Sequence, residues 1–479
     1  ITLPEVWPRN CGDCYLQLIN SRLNGRYKYN IFVGNGWRKK VAAVREELRV
    51  NDADAMVVTA LDEVAWLLNI RGRDVPYAPL LKAFVLIGPQ ELHVYAPPGK
   101  LPMPVREALS ADAFHDYGTI YTELRRRAAE WSKVLIPSGG TFQRGASAAI
   151  AQSVPHTRRL FLLSPIIYLK AQKSAAEADG MRKAHVRDAA IRAKMTEMTV
   201  AHKVDATRDT QAGYIGVAML TRVAYGVNGA DPDYRQHNLT NRRIFTNGTL
   251  IISSGGQYDE GTTVVTRTLH FGKPTIEERR AYTSVLRSLS ALALLKPPSA
   301  LPAAHADPVA RAPLWAYKQD YNHPTGHGIG AALNRREDPV VIDYRQDTNL
   351  HPFREGYFIT NEPSWYGERY GIRLGNVLEL ISTSKNYLGF REATLIPFEP
   401  KLIDSTMLTE YEVKWLNEYN DRIRKKVGPE LESQGLQDVY YWMLNKTVPL
   451  DGSVTISLPV GHGFPTILLK LSKLVKIYD

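Results

Sequence analysis

Two kinds of sequence pattern alternate along the early part of the chain, from Trp37 to about Leu160. Stretches with helical spacing of apolar residues are separated by short, continuous apolar runs. The helical stretches are WRKKVAAVREELR and YTELRRRAAEW, and the apolar runs are AMVVTAL, KAFVLIG, LHVYA and KVLIP. Apolar runs of this length are typical of strands buried on both faces, so their alternation with helices predicts an α/β domain with a mostly enclosed sheet.

The pattern changes near Ser164. One long helical stretch, SAAEADGMRKAHVRDAAIRAKMTEMTVAH, opens at Ser174, and Glu177 follows at the spacing of a capping box. Strand-like runs separated by Asn/Gly turns come next, then the helical stretch TIEERRAYTSVLRSLSALALL. Strands with Gly-rich turns resume at Gly326 and continue to about Pro397. The second domain is therefore predicted to be α+β, with a mixed or antiparallel sheet.

Four segments are predicted from these changes: an N-terminal extension (1–36), an α/β domain (37–163), an α+β domain (164–445) and a C-terminal extension (446–479). The stretch KPPSALPAAHADPVARAP is predicted to be a loop or an interrupted helix start. Near the end of the chain, Ile467, Leu471, Leu474 and Tyr478 fall on one helical face. Such a face can dock on a partner or a membrane surface, or pack on its own domain.

Composition narrows the classes of function. Among 479 residues, 60 Lys and Arg stand against 49 Asp and Glu, which gives a formal net charge of +11. This balance favours acidic partners such as nucleic acid, but a solvated basic face is the commoner explanation, and no nucleic-acid-binding motif occurs. No run of about eighteen apolar residues is present, so no transmembrane segment is expected. Cys11 and Cys14, in C-G-D-C, lack a second pair to complete a zinc site, so an incidental thiol pair is favoured.

Six further stretches stand in order along the chain: VVTALDEVAWLLNIRG, KSAAEADGMRKAHVRDA, SSGGQYDEGTTVVTRTLHFG, HPTGHGIG, TNEPSWYGERYGIRLGNV and LTEYEVKWLNEYNDRIRKKVGPEL. Together they resemble aminopeptidase P, the X-Pro aminopeptidase family with the pita-bread metallopeptidase fold. The match spans roughly Trp37 to Leu444 and is most similar to the longer eukaryotic form, without the first of its three domains. The resemblance implies a creatinase-like α/β N-terminal domain followed by an α+β pita-bread domain.

The resemblance also implies a set of metal-ligand positions. In that family two divalent metal ions, usually manganese, are held by two Asp, one His and two Glu, and these positions fall on Ser253, Val264, His327, Glu362 and Gly375. Carboxylates that bridge the two ions hold them close together, and a water shared by the ions becomes acidic enough to attack a peptide carbonyl. Only His327 and Glu362 keep the family residue types. The pita-bread frame is thus expected without most of its ligands, and no metal cofactor is expected.

The substrate pocket implied by the resemblance has changed in part. Two family His positions fall on Asp233 and Arg336, whereas His323 and Arg373 stand where the family has a substrate His and an Arg. These four residues are predicted to be remnants of a substrate-binding pocket. Together with the two retained ligand types, His323 would complete a two-His, one-carboxylate set for a single ion. However, the resemblance places His323 at a substrate position rather than a ligand position, which disfavours that site.

Two functions are compatible with these expectations. The first is a catalytically inactive aminopeptidase P homologue that serves as a structural or binding subunit of a larger assembly, as a homodimer or with other proteins. The alternative is an active, metal-dependent X-Pro aminopeptidase that releases the residue ahead of a proline at an atypical metal site. The basic balance and few cysteines predict a mitochondrial location, with the cytosol or secretion as alternatives.

Overall fold

The computed structural model describes residues 35–72, 74–101, 103–109, 113–188, 196–346 and 351–450. Cys11, Cys14 and the apolar face between Ile467 and Tyr478 lie outside these residues, as does nearly all of the predicted N-terminal extension. In the part of the chain that is described, no helix combines the length and the apolar character needed to cross a bilayer.

The first domain is a six-stranded mixed sheet with helices against it, as predicted. Its strands are β1 (Ala55–Val58), β2 (Phe84–Ile87), β3 (Leu92–Ala96), β4 (Ala113–Asp116), β5 (Val134–Pro137) and β6 (Arg159–Leu162). They lie in the order β4-β3-β2-β1-β5-β6. The helices are α1 (Trp37–Val50), α2 (Leu61–Leu68), α3 (Met103–Leu109), α4 (Ile120–Arg127) and α5 (Ala148–Gln152). In β1, Met56 and Val58 pack into one apolar cluster and Ala55 and Val57 into another, so both faces of this strand are covered.

The second domain combines antiparallel strands with seven further helices among the described residues. The helices are α6 (Ile166–Ala171), α7 (Ala175–Asp188), α8 (Glu197–Asp209), α9 (Ile276–Leu294), α10 (Asp307–Trp315), α11 (Glu410–Ser433) and α12 (Gln437–Lys446). The strands are β7 (Tyr214–Val217), β8 (Arg222–Tyr225), β9 (Thr249–Ser254), β10 (Gly256–Tyr258), β11 (Gly261–Thr262), β12 (Val265–His270), β13 (Gly326–Gly328), β14 (Glu337–Ile342), β15 (Phe358–Asn361), β16 (Ser364–Tyr366), β17 (Gly371–Arg373), β18 (Asn376–Ser384) and β19 (Tyr387–Glu392).

Four antiparallel sheets are formed by these strands: β11-β10-β7, β12-β9-β8, β14-β13-β15-β18-β19 and β16-β17. Helices α9 and α11 cover the five-stranded sheet, with Leu289 of α9 and Tyr419 and Ile423 of α11 in one core with Ile359 of β15. This arrangement confirms the predicted α+β class. The four predicted segment boundaries stay predictions, although β6 and α6 lie on either side of the boundary at 163/164.

The prediction of one long helix from Ser174 is wrong in its length. The capping box at its start is present, because the backbone N–H of Ser174 donates to the Glu177 carboxylate at 2.9 Å and the Glu177 N–H donates to Ser174 Oγ. However, α7 is described from Ala175 to Asp188, and a separate helix, α8, begins after Thr196. Thr196 has extended backbone angles, and its side chain accepts a hydrogen bond from the N–H of Thr199. A Thr that caps the following turn starts a helix rather than continuing one.

The two domains meet at a buried group of charges. Lys170 of α6 is bonded to Glu337 of β14 at 2.7 Å and lies 3.2 Å from Asp62 of α2, and Lys173 is bonded to the second oxygen of Glu337. These four side chains are at least 96% buried. Burial alone would raise the pKa of Glu337, but the two lysines hold it below its ordinary value. The charges therefore join the first domain to the first residue of β14.

Glu63, beside this group, should make stability depend on pH. Burial, with Asp62 nearby, raises its pKa to about 8, and Ser164 Oγ donates to its carboxyl group at 2.8 Å. The folded chain thus keeps this proton as pH rises while the unfolded chain loses it near its ordinary pKa, so stability falls between about pH 4.5 and pH 8. We expect Glu63→Gln to flatten this fall by about 1–3 kcal/mol in urea unfolding. The exposed Glu130→Gln variant is the control, and an unchanged slope in Glu63→Gln would refute the expectation.

Candidate active site

The hairpin of β9 and β12 forms the floor of the candidate site. Ser253 lies directly opposite Thr266, and their hydroxyl groups are hydrogen-bonded. Val264 directly precedes β12 and lies two residues before Thr266, so continuing the alternation of the strand by one residue places it on the same face. Val264 is 3% exposed and belongs to an apolar cluster with Ile329 and Phe358. The two positions that the resemblance assigns to metal-binding Asp residues therefore share one face, with a hydroxyl at one and an aliphatic side chain at the other.

Gly375 extends this row of positions. It exchanges two backbone hydrogen bonds with Thr266, at 3.0 and 3.2 Å, and a Cβ added to Gly375 would lie 3.1 Å from Thr266 Cβ. On the other side of the hairpin, Arg222 of β8 lies opposite Ser253. Four positions, Arg222, Ser253, Thr266 and Gly375, are therefore neighbours across the sheet, and none of them is a carboxylate.

His327 of β13 and Glu362, just after β15, are the retained ligand types and lie together. Their side chains are 5% and 7% exposed, and His327 Nε2 is 3.6 Å from Glu362 Oε1. His327 Nδ1 is 2.9 Å from the Gly328 carbonyl oxygen, which assigns the proton to Nδ1 and leaves Nε2 as an acceptor. Burial is the main reason that the pKa of His327 is lowered. The imidazole is therefore neutral near pH 7.

Arg373 binds the second oxygen of Glu362 with an Nη2 to Oε2 distance of 2.8 Å. Burial would raise the pKa of Glu362, but the neighbouring His327 and the charge of Arg373 hold it well below its ordinary value. Glu362 is therefore a carboxylate. Three buried atoms of this group, His327 Nε2, Glu362 Oε1 and Arg373 Nε, have no hydrogen-bond partner within the described ranges.

The predicted pocket remnants are distributed around this group. His323 Nδ1 donates to the Pro324 carbonyl at 2.8 Å, and its Nε2 accepts from Ser364 Oγ at 2.6 Å. Burial, with Arg373 nearby, lowers the pKa of His323 to about 4, so this ring is also neutral at pH 7. Both of its nitrogens are already engaged. Arg336 and Asp233 are exposed side chains at the edge of the same site, where Asp233 acts on the pKa of Arg222.

Residues that sequence reasoning missed include Arg222, Arg335 and Thr266. Arg335 acts on the pKa of His327 and is itself only partly exposed. Arg335 could have been found from the sequence, because it adjoins Arg336 shortly after the T-G-H-G segment. Arg222 and Thr266 had none, because their place beside Ser253 depends on the strand register.

The donors of a two-metal centre are not supplied by these side chains. His327 Nε2 and Glu362 Oε1 are two suitable donors, but Ser253, Val264 and Gly375 add no carboxylate. No group of three or more His, Cys, Asp or Glu side chains within the described residues is placed to hold a metal ion. The second Glu362 oxygen, which a bridging carboxylate would offer to a second ion, is bonded to Arg373. The residues present therefore do not fit the pair of metal ions that the family implies.

Family models match nearly the whole described chain. Residues 28–177 match the creatinase/prolidase N-terminal domain, residues 170–380 match metallopeptidase family M24, and residues 386–450 match the C-terminal region of peptidase M24. The Xaa-Pro aminopeptidase 1 of Dictyostelium discoideum is 34% identical over 443 residues, which cover 88% of this chain and 70% of that protein. The Xaa-Pro aminopeptidase app-1 of Caenorhabditis elegans is 33% identical, with 86% of this chain and 71% of that protein covered.

Solved structures agree with the fold. The crystal structure of X-prolyl aminopeptidase from Caenorhabditis elegans, described as a cytosolic enzyme with a di-nuclear active site, has a TM-score of 0.82 at 31% identity and covers 88% of this chain and 72% of that one. The prolidase from Pyrococcus horikoshii, at 22% identity and a TM-score of 0.59, covers 75% of this chain and 99% of that one. At that lower identity the likeness concerns the fold alone.

One sequence-based prediction is wrong in the light of these relatives. No metal cofactor was expected, because three of the positions implied by the resemblance lack a ligand. The Caenorhabditis elegans structure has a di-nuclear active site, so a metal cofactor belongs to the family and its absence cannot be the expectation. The loss of ligand side chains at three positions does not by itself show that no metal cofactor is used. With relatives above 30% identity along most of its length, this chain belongs to the Xaa-Pro aminopeptidase family of M24 metallopeptidases.

Proposed function

We propose that this chain recognises the amino-terminal end of peptides that begin Xaa-Pro. The observation that carries the proposal is the set of three buried polar atoms without partners: His327 Nε2, Glu362 Oε1 and Arg373 Nε. Two acceptors beside one donor suit a peptide amino terminus, whose ammonium group donates while the adjacent carbonyl accepts. The names of the relatives support proline at the second position of the peptide.

Binding and hydrolysis are two forms of this function. The relatives favour hydrolysis, and thus the second of the two functions inferred from the sequence, an aminopeptidase with an atypical metal site. Ser253, Val264 and Gly375 instead favour binding without hydrolysis, because they supply none of the carboxylates that bring a bridging water to reactivity. What the chain's own residues do is hold a carboxylate at Glu362 and a neutral imidazole at His327.

Calorimetry with Ala-Pro-Ala tests recognition, and chromatography of the same mixtures for released alanine tests hydrolysis, each with and without added Mn²⁺. We expect Ala-Pro-Ala to bind, and its N-acetylated form and Ala-Ala-Pro to bind far more weakly. Glu362→Gln should remove the preference for the free amine, whereas the exposed control Glu130→Gln should keep it. Equal binding of free and acetylated peptides would refute the proposal. Alanine release establishes the hydrolytic form, and binding without release establishes the other.

Restoring the carboxylates should lower the free energy of unfolding, and added Mn²⁺ should raise it again. Val264→Asp alone places an unpaired carboxylate in an apolar cluster, so we expect it to lower the free energy of unfolding by about 1–3 kcal/mol. Val264→Ala is the matched control for lost packing. In the triple variant Ser253→Asp, Val264→Asp, Gly375→Glu, added Mn²⁺ should raise that free energy again, because an ion that binds only the folded chain stabilises it. A triple variant without any Mn²⁺-dependent gain in urea unfolding would contradict this.

Assembly with other protein chains, as a homodimer or a hetero-assembly, and a mitochondrial location stay proposals that rest on the sequence. Light scattering of the purified chain tests the first. The sequence of the precursor tests the second, because an Arg-rich and acid-poor leader is typical of import.

A further inference from the structure

Positive charge is concentrated around the candidate site. The pKa of Arg335 is lowered to about 10, mainly by burial; Arg336, Arg373 and Arg222 lower it further, while Glu362 acts in the opposite direction. The pKa of Arg222 is likewise lowered, by burial and then by Arg373, with Arg235 and Arg336 adding to it. Like charges that lower one another's pKa lie within electrostatic reach of each other.

The fold gathers these arginines from three separate elements. Arg222 opens β8 opposite Ser253, so its side chain shares the face that carries the hydroxyl groups of Ser253 and Thr266. Arg335 and Arg336 immediately precede β14, which pairs with the strand that carries His327. Arg222 therefore lies in the row of positions across the hairpin, and Arg336 and Arg373 act on it electrostatically from the neighbouring elements.

Little negative charge is available to balance them. Arg373 is paired with Glu362 at 2.8 Å, which uses one carboxylate. Asp233, which raises the pKa of Arg222, is exposed. Within the described part of the chain, Arg222, Arg335 and Arg336 have no side-chain hydrogen bond and no ion pair. Arg222 and Arg335 are nevertheless partly buried. Guanidinium groups that lie at one site without an ion-pair partner of their own are suited to binding an anion.

We propose that Arg222, Arg335 and Arg336, with the hydroxyl groups of Ser253 and Thr266, bind a small oxyanion, a carboxylate or a phosphate. A guanidinium group presents two parallel N–H donors that match the spacing of two oxygens on such an anion. Of the hydroxyl groups of Ser253 and Thr266, the one whose proton is not used in their mutual hydrogen bond donates to the same anion. Two cationic side chains from different elements can contact one anion from both sides. This inference goes beyond peptide recognition and does not depend on it, since its ligand can be a free anion.

Calorimetry at low ionic strength tests the proposal with inorganic phosphate and, separately, with acetate. The parent chain should bind at least one of the two anions. The double variant Arg222→Gln, Arg335→Gln should bind it about tenfold more weakly or worse, because two of the three unpaired guanidinium groups are removed. The control is Arg125→Gln on α4, an exposed arginine of the first domain, which should bind like the parent. Thermal unfolding of each variant checks that the fold is kept.

Three outcomes would overturn the proposal: no binding of either anion, equal weakening in Arg125→Gln, or full binding by the double variant. A comparison of Ala-Pro-Glu with Ala-Pro-Gln identifies the source of the anion. Tighter binding of the Glu peptide, lost in the double variant, assigns the site to a peptide carboxylate, and phosphate binding with equal peptide affinities assigns it to a free anion. If the chain binds the anion but binds free and N-acetylated Ala-Pro-Ala equally, this inference is upheld and the proposed function is refuted.

Discussion

Replacing Glu337 with Ala is expected to lower the free energy of unfolding by about 3–5 kcal/mol, the largest single effect predicted for this chain. Glu337 is bonded to Lys170 and Lys173, and all three side chains are at least 99% buried. Without the carboxylate, two ammonium groups remain in a low-dielectric interior, where Asp62 lies 3.2 Å from Lys170 and Glu177 acts on Lys173. Removing one partner of a buried ion pair costs much more than the pair contributes, because the other charge stays desolvated.

Urea unfolding at neutral pH measures this loss. The control is Asp179→Ala, which breaks ion pairs with Lys183 and Arg182 whose side chains are largely exposed, and it should change the free energy by no more than about 0.5 kcal/mol. The lowered pKa of Glu337 decides how its contribution to the free energy of unfolding depends on pH. The contribution is present above about pH 4.5 and declines as pH falls further. A Glu337→Ala chain as stable as Asp179→Ala would mean that Lys170 and Lys173 lose their charges or reach water.

Replacing Gly326 with Ala should destabilise the chain by about 3 kcal/mol and displace His327. A Cβ on Gly326 would lie 1.9 Å from the carbonyl oxygen of Thr360, far inside van der Waals contact. Thr360 belongs to β15, which also pairs with β18, so that carbonyl group cannot move aside without disturbing a second strand. The cost is therefore backbone displacement rather than a change of side-chain rotamer.

Gly139→Ala is the matched control, because its added Cβ would meet its nearest atoms at 3.6 Å, an ordinary contact. It should leave the free energy of unfolding within about 0.5 kcal/mol of the parent. If recognition depends on His327, Gly326→Ala should also weaken the binding of Ala-Pro-Ala by more than Gly139→Ala does. Equal stability of the two variants would show that β13 and β15 are less tightly packed than the structure has them.

Local sequence patterns were sufficient for the elements that local contacts decide. The continuous apolar runs predicted the buried strands of the first sheet, and Ser174 with Glu177 predicted a capping box that is present. The break between α7 and α8 was missed, because a Thr with capping geometry looks like any polar residue in a helical pattern. Thr196 differs only in the backbone angles that it adopts.

Contacts between distant parts of the sequence could not be read from such patterns. Lys170 and Glu337 are separated by 167 positions, and nothing in the periodicity of either segment indicates the other. The same holds for Arg222, which reaches the site only because β8 pairs with β9 in one register. The resemblance to a known family predicted which positions share the site, but not the positive charge that now surrounds them.

The junction between the domains has a consequence for how the site is built. Arg335 and Arg336 directly precede Glu337, whose carboxylate is held by two lysines from the segment that leads out of the first domain. On the other side of the same loop, Arg71 of the first domain donates to the carbonyl oxygens of Ala331 and Ala332. The loop between β13 and β14 is therefore held within its first half by Arg71 and at its end by the two lysines, all of them outside its own sheet. A fragment that starts after Lys173 would lose these contacts, so we expect the two domains to unfold together and the pocket to be lost with either of them.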